Sequence, residues 1–244
     1  MIKPQTLIIG ANSGIAKAIA DQILKNATDN LIVISRDLSF YKNKGVPPTH
    51  QIEVNDYSAI SITQAVEKIK DLEIQSINRI FICHGVLHTN NIQPEKRLED
   101  FDASSFVEVM MANALAPILW IKSLTPMLSS NHECKITVFS ARVGSITDNK
   151  LGGWYSYRAS KAALNMLLKT AAIELKRRAK NIKLISFHPG TTDTELSKPF
   201  QKNVPDGKLF NCEFVAKQLI SIVDNMSIDN TLSYVDWQGK EIEW

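Results

Sequence analysis

Cysteine is scarce: Cys83, Cys134 and Cys212 are the only three in 244 residues, far apart and without a CxxC or Cys/His pairing. That spacing excludes a disulfide framework and a zinc site of the usual kind, leaves no metal expected, and fits a reducing compartment. Charge of one sign is missing too, since 28 basic and 25 acidic residues leave a formal +3. No general field then draws nucleic acid or a membrane surface. The basic cluster at Lys176, Arg177 and Arg178 lies where the last turn of a helix would complement its dipole. Long apolar runs are absent as well. Met1 and Lys3 lead into only the short LIIGA, too brief for a signal-peptide core, and the longest uncharged apolar stretch, Val109 to Ile121, falls below a span of roughly 18 residues. The expectation is a soluble, cytoplasmic protein without nucleic-acid or membrane partners. With no repeat, low-complexity tract or long linker, and with 44% hydrophobic residues, a single domain over 1–244 is expected.

What the chain does have is alternation. Apolar segments rich in Ile, Val and Phe at 6–10, 31–35, 50–54, 79–83, 135–140, 182–187 and 231–235 read as strands buried on both faces. Between them, helical periodicity runs over 14–26, 59–70, 101–128, 155–179 and 212–225. This pattern predicts an α/β fold: a doubly wound parallel sheet of about seven strands in a three-layer α/β/α, Rossmann-like sandwich. Residues 42–49 and 191–210 read as loops, the second long enough to serve as a lid or substrate loop.

After the first strand comes GANSGIA, opening a helix. Gly10 and Gly14 let the backbone turn tightly and approach a pyrophosphate, which helix N-terminal amides bind as an anion site; a purely structural strand-to-helix turn would use the same glycines. Gly10, Asn12, Ser13, Gly14 and Ile15 are the candidate contacts. At the end of the second strand, Ser35 and Arg36 stand where an adenosine ribose would be read, and an arginine there favours NADP over NAD. Asp37 offers the competing reading, either neutralising Arg36 or binding the ribose itself.

In YSYRASKAALN, Tyr157 and Lys161 are four apart and so within about 40° on one helix face. An ammonium beside a phenol favours the phenolate and can tune it for proton transfer at a carbonyl or alcohol oxygen. A plain surface Tyr–Lys contact is the bland alternative.

Taken together, GANSGIA, the fourth-strand end CHG at 83–85, Asn113 within a helix, Ser140 at a strand end, YRASK at 157–161 and HPGTTDT at 188–194 resemble the short-chain dehydrogenase/reductase family over essentially the whole chain. The stretches GVLHTNNIQPEKRLED, SARVGSITDNKLGGWYSYRASKAALN and HPGTTDTELSKPFQKNVPDGKLF, with the ending WQGKEIEW, are most similar to its C-factor-like and sniffer-like carbonyl reductase branch. The resemblance implies an NADP(H)-dependent oxidoreductase interconverting a carbonyl and an alcohol of a small molecule. It implies that Tyr157 is the general acid/base, that Lys161 tunes it and binds the nicotinamide ribose, and that Asn113 holds a water in a proton relay. Glu53, Val54, Gly85, Pro189, Gly190, Thr192 and Thr194 become further expected cofactor contacts, with Asp56 an alternative acid near the adenine. The family's substrate-orienting serine aligns with Ala141, which leaves Ser140 as first choice and Ser145 as replacement. The branch also carries a second reading, a cofactor-binding signalling protein with little turnover. A homodimer or homotetramer is implied through the helices bearing Asn113 and Tyr157, with Val107, Met110, Met111, Leu115, Leu119, Leu164 and Leu168 to be divided between core and interface.

Overall fold

The computed structural model describes residues 5–25, 30–72, 74, 76–130 and 132–244. Met1, Lys3 and Asn26, which entered the sequence reading, lie outside them. Seven strands, β1 (Gln5–Ile9), β2 (Asn30–Ser35), β3 (Gln51–Glu53), β4 (Arg79–Ile82), β5 (Cys134–Phe139), β6 (Ile182–His188) and β9 (Leu232–Asp236), pair in the order β3-β2-β1-β4-β5-β6-β9. Every pairing is parallel. Parallel strands need crossovers, and the helices that supply them cover both faces, which is why β1 is buried at all five positions and β2 at five of six.

One core lies under α2 (Ala59–Lys70), α4 (Ala116–Leu128) and α5 (Tyr155–Arg178), built from Ile9, Ile34, Ile80, Trp120, Leu164 and Leu168 among others; the other lies under α1 (Gly14–Lys25) and α6 (Cys212–Asn225), around Ile8, Phe81, Ile185 and Phe187. Alternate residues of the same strand feed opposite cores, as Ile8 and Ile9 show. Each such aliphatic side chain contributes about 1.5–3 kcal/mol when removed from water.

The helix preceding α4 does not run as a plain α-helix. α3 (Ala103–Met110) passes into a π turn, Met111–Leu115, and then into α4, which has Pro117 in its first turn. Pro117 has no N–H for the carbonyl of Asn113 four residues back, and the ladder widens there, with Ala116 N–H bonding to Met111 O instead. Taken through the π turn, Ala103–Leu128 is, among the described residues, the one helix long and apolar enough by length and composition to cross a membrane. Its uncharged apolar part is only Val109 to Ile121, bracketed by Glu108 and Lys122. Trp120, Ile121, Leu124 and Leu128 of this helix are buried against the sheet.

The loop expected at 191–210 carries secondary structure of its own. β7 (Thr191–Thr192) and β8 (Leu209–Phe210) pair as a two-stranded parallel ribbon, with a 3₁₀ helix at Lys198–Asn203 between them.

Candidate active site

The carboxyl ends of β1, β4, β5 and β6 meet the starts of α1 and α5 beside the point where strand order reverses, the crevice in which open α/β sheets bind ligands. α5 begins under constraint. Gly152, Gly153 and Trp154 all have positive φ, at 65°, 65° and 54°, and Trp154 caps the helix without a side-chain bond. Arg158 ties this turn back, donating from Nε to Gly153 O at 2.9 Å and from a terminal nitrogen to Gly152 O at 3.2 Å. From the facing loop, Glu95 accepts the Ser156 N–H at 3.2 Å and the Ser156 hydroxyl.

One residue further, Tyr157 is 9% exposed and Lys161 3%. Lys161 Nζ lies 5.7 Å from the Tyr157 ring centroid and donates to Phe139 O at 2.8 Å. Burial pushes Lys161 down to about 7, and burial, then the neighbouring Tyr234, pushes the Tyr157 phenol above its ordinary value. The expected lowering of the tyrosine by the lysine is thus outweighed in this state, because desolvation disfavours both charged forms at once.

Asn113 is fully buried in the π turn. Its Oδ1 accepts the Val86 N–H at 2.7 Å, while Nδ2 donates to Val86 O at 2.7 Å and to Ser160 Oγ at 3.0 Å. Ser160 in turn donates to Tyr157 O at 2.8 Å, so the asparagine is joined to α5 through one hydroxyl. Gly85 completes the group: a Cβ there would stand 3.2 Å from Asn113 Oδ1 and 3.5 Å from Lys161 Nζ.

Ser140 goes elsewhere. Buried at the end of β5, it donates to Asn165 Oδ1 at 2.8 Å, and Ser186 donates to the same oxygen at 2.8 Å. Its proton is therefore committed to α5, as the alternation of faces along a strand requires. The Ala141 carbonyl accepts from the Tyr234 hydroxyl at 2.8 Å. Gly144 packs against Lys161, where a Cβ would come within 2.8 Å of the lysine Cβ. Ser145, buried next to it, accepts the Asp148 N–H at 3.1 Å and retains its own proton.

On the nucleotide side, Gly10 has φ 75°, and a Cβ there would meet His84 N at 2.7 Å. A Cβ on Gly14 would meet Cys212 Sγ at 3.1 Å and Thr194 Cγ2 at 3.4 Å, so the 188–194 segment does reach the turn at the head of α1. Ser13 Oγ accepts the Ala16 N–H and Ile15 is buried on the sheet side. Asn12 gives Nδ2 to Asp37 at 3.2 Å and leaves a buried Oδ1 without a partner. Asp37 also takes the Ser39 N–H, whereas the Arg36 guanidinium lies 5.9 Å over the Tyr57 ring, so the two do not neutralise each other. Ser35, whose Oγ accepts the Asp37 N–H at 3.4 Å, is buried beneath them. Val54 bonds to Ser35 O; Glu53 is exposed at the end of β3, and Asp56 is used locally on the Ser58 N–H. In the 188–194 segment, Gly190 has φ 72° and no room for a Cβ beside Phe210, and Thr192 donates to Pro189 O. A glycine turn closed to side chains, a buried amide oxygen open to a hydroxyl donor and an arginine not paired with Asp37, together in one crevice, fit a dinucleotide.

Two histidines line the region. His84 stacks on Tyr57 at 4.5 Å with its Nε2 sealed from solvent and unpartnered; burial, then Lys161, pushes it down to about 3. His188, lowered to about 4 by burial and by Arg142 against the opposing pull of Asp236, is likewise neutral. An aromatic wall of Trp154, Phe200 and His88 flanks Tyr157, with the Trp154 ring 4.9 Å from Phe200 and 6.1 Å from Tyr157.

Sequence reasoning missed Glu95, Ser160, Asn165 and Tyr234. A signal existed for two of them: Ser160 and Asn165 flank Lys161 and Leu164 in the helix stripe that must face the core, where an unpaired polar group is costly.

The short chain dehydrogenase family model matches residues 5–205. The chain is 25% identical over 238 residues, covering 98% of each protein, to 1-hydroxy-2-glutathionyl-2-methyl-3-butene dehydrogenase of Rhodococcus sp. (strain AD45). It is 28% identical over 147 residues, 60% of this chain and 83% of the other, to the C-signal protein of Myxococcus xanthus. Among solved structures it is similar to the carbonyl reductase Sniffer of D. melanogaster, with a TM-score of 0.83 at 20% identity, and to an NADPH-bound carbonyl reductase from chicken fatty liver, with 0.83 at 21%; both comparisons cover 100% of each chain.

Proposed function

The chain belongs to the short-chain dehydrogenase family, and from that premise we propose that it is an NADP(H)-dependent reductase of small-molecule carbonyls. The observation that carries the reading is the convergence of Asn113 and Lys161 on Gly85, with Tyr157 beside Lys161 at the head of α5 and joined to Asn113 through Ser160. The Gly10–Gly14 turn, Asn12, Ser35, Arg36, Gly85, Gly190 and Thr194 hold the dinucleotide, and Arg36, unpaired by Asp37, takes the 2′-phosphate. When bound, the nicotinamide supplies a hydride. Tyr157 delivers a proton to the carbonyl oxygen, and Lys161, bound to Phe139 O and placed beside the phenol, stabilises the phenolate that is left. Asn113 holds the relay behind the lysine, with a main-chain carbonyl to which Pro117 has no N–H to give. Ser145 rather than Ser140 orients the substrate, since its proton is the one not already given to Asn165.

The same folded unit spans 1–244 and acts in the cytoplasm as an oligomer. Val107, Met111 and Leu115 are 57%, 52% and 37% exposed at helical spacing, and Met166 and Ile173 of the adjacent α5 are 67% and 53% exposed. Leu164 and Leu168 are fully buried, and Met110 and Leu119 pack against the core, so the exposed set is what a second copy would cover.

The likeness to C-signal favours a second reading, in which nucleotide binding serves signalling with little turnover. Titration of NADPH and NADH fluorescence on the wild type and Arg36→Asp tests the cofactor: tight NADPH binding that weakens in the variant is expected, and no binding of either nucleotide overturns both readings. NADPH oxidation by aldehydes, ketones and quinones, lost in Tyr157→Phe, separates them. A biological effect that survives Tyr157→Phe favours signalling.

A further inference from the structure

Glu95 sits in the loop between β4 and α3, 61 residues before Ser156 in sequence, yet it is only 5% exposed. A carboxylate removed from water needs strong partners, and the two that Glu95 has are both on one residue: the N–H and the hydroxyl of Ser156, in the first turn of α5. Its main-chain carbonyl takes the N–H of Trp154 at 2.5 Å. Helix α5 lacks a capping side chain of its own, because the cap position is a tryptophan held at φ 54° after two glycines of positive φ. Glu95 therefore supplies from another segment both the acceptor and the negative charge that the start of this helix lacks. Tyr157 follows Ser156 directly.

We infer that Glu95 is a positioning residue for the proposed reaction: by gripping Ser156 and Trp154 it sets the place and angle at which α5 presents the Tyr157 hydroxyl, and it couples that angle to the loop at 85–100 along the substrate side. This rests on the proposed role of Tyr157. Glu95 touches no reacting atom and reaches the chemistry only through the backbone of α5.

Glu95→Ala, Glu95→Gln and Ser156→Ala separate this from a merely structural role. In Glu95→Ala, amide hydrogen exchange in the peptide over 154–162 is expected to accelerate, whereas Glu95→Gln, which keeps an acceptor oxygen, is expected to stay near the wild type. With benzil as the carbonyl probe and NADPH saturating, kcat per NADPH-binding site should fall about ten- to a hundredfold in Glu95→Ala, with KM and NADPH affinity little changed, since sub-ångström misplacement acts on the reacting geometry alone. Glu95→Gln should recover most of that loss, and Ser156→Ala, which keeps the N–H bond, should fall between. Unchanged exchange in Glu95→Ala overturns the grip, and accelerated exchange with unchanged kcat overturns the positioning role. If Glu95→Ala does not fold, Ser156→Ala decides: wild-type kcat there overturns the assignment. A wild type that binds NADPH but loses no turnover in Tyr157→Phe overturns the proposed acid instead, while the exchange measurement still reports whether Glu95 holds the helix.

Discussion

Ser140 donates its hydroxyl proton to Asn165 Oδ1 at 2.8 Å, which joins the end of β5 to α5 two turns beyond Tyr157. A buried hydroxyl used in this way stabilises the fold and has no proton left for a substrate. Ser140→Ala is expected to cost about 1–2 kcal/mol of stability in urea unfolding, because Asn165 Oδ1 loses one of its two donors. Its KM for a carbonyl should change little. Ser145→Ala should do the reverse, lowering kcat/KM about ten- to a hundredfold at nearly unchanged stability. Steady-state kinetics and unfolding curves on the two variants check both halves.

Lys161 carries a pH dependence. Burial holds it at about 7 in the folded protein against an ordinary 10.5. Between those values the unfolded chain binds a proton that the folded chain does not, so the stability of the cofactor-free protein should rise with pH across that window. Below about 7 both states are protonated and the penalty becomes constant. Lys161→Met should remove the rise, and its advantage over the wild type should grow as pH falls from about 10 to about 7. Thermal unfolding at a series of pH values tests it; parallel curves for the two proteins would refute it.

The two turn glycines should fail differently. Gly10 combines a left-handed φ with His84 N at 2.7 Å from any added Cβ, so Gly10→Ala is expected to lose about 3 kcal/mol of stability or more. Gly14 has an ordinary φ and meets only the tip of Cys212 and the methyl of Thr194. Gly14→Ala should fold normally and bind NADPH more weakly, as fluorescence titration would show.

The exposed face of α3 and α5 should carry the assembly. Light scattering of the wild type at micromolar concentration is expected to report a dimer or tetramer, and Met111→Glu with Met166→Glu a smaller species, because two carboxylates cannot be buried unpaired across an interface. A wild-type monomer would remove this proposal.

Much of the architecture was readable from residue order. The seven strands of the main sheet and the α-helical segments fall within a few residues of where periodicity put them, because buried parallel strands are nearly uninterrupted runs of Ile, Val and Phe. The β7–β8 ribbon was not, since two-residue strands leave no periodicity to read. The π turn was equally silent, although Pro117 four residues after Asn113 marks where an α-helical bond is impossible. Within the site, spacing brought Tyr157 and Lys161 to one face of a helix, but the direction of the Ser140 proton depends on Asn165 on that same helix, and only the packed structure joins them. Glu95 escaped notice because an acid in a loop of mixed polarity looks solvated until its burial is known.

The π turn at Met111–Leu115 has one more consequence. An extra residue in a helix acts as a phase shifter: it rotates everything on one side relative to the other by about 100° without shortening the rod. The inner half, α4, can keep its phase with the sheet, and the outer half, α3, can be dialled separately toward whatever lies outside. Straightening the π turn into an α-helix without removing a residue would turn Val107 and its neighbours by that angle, whereas deleting one residue within 111–115 should remove the bulge and leave a continuous α-helix with Val107 on the same bearing; Asn113 sits at the joint where the two phases meet.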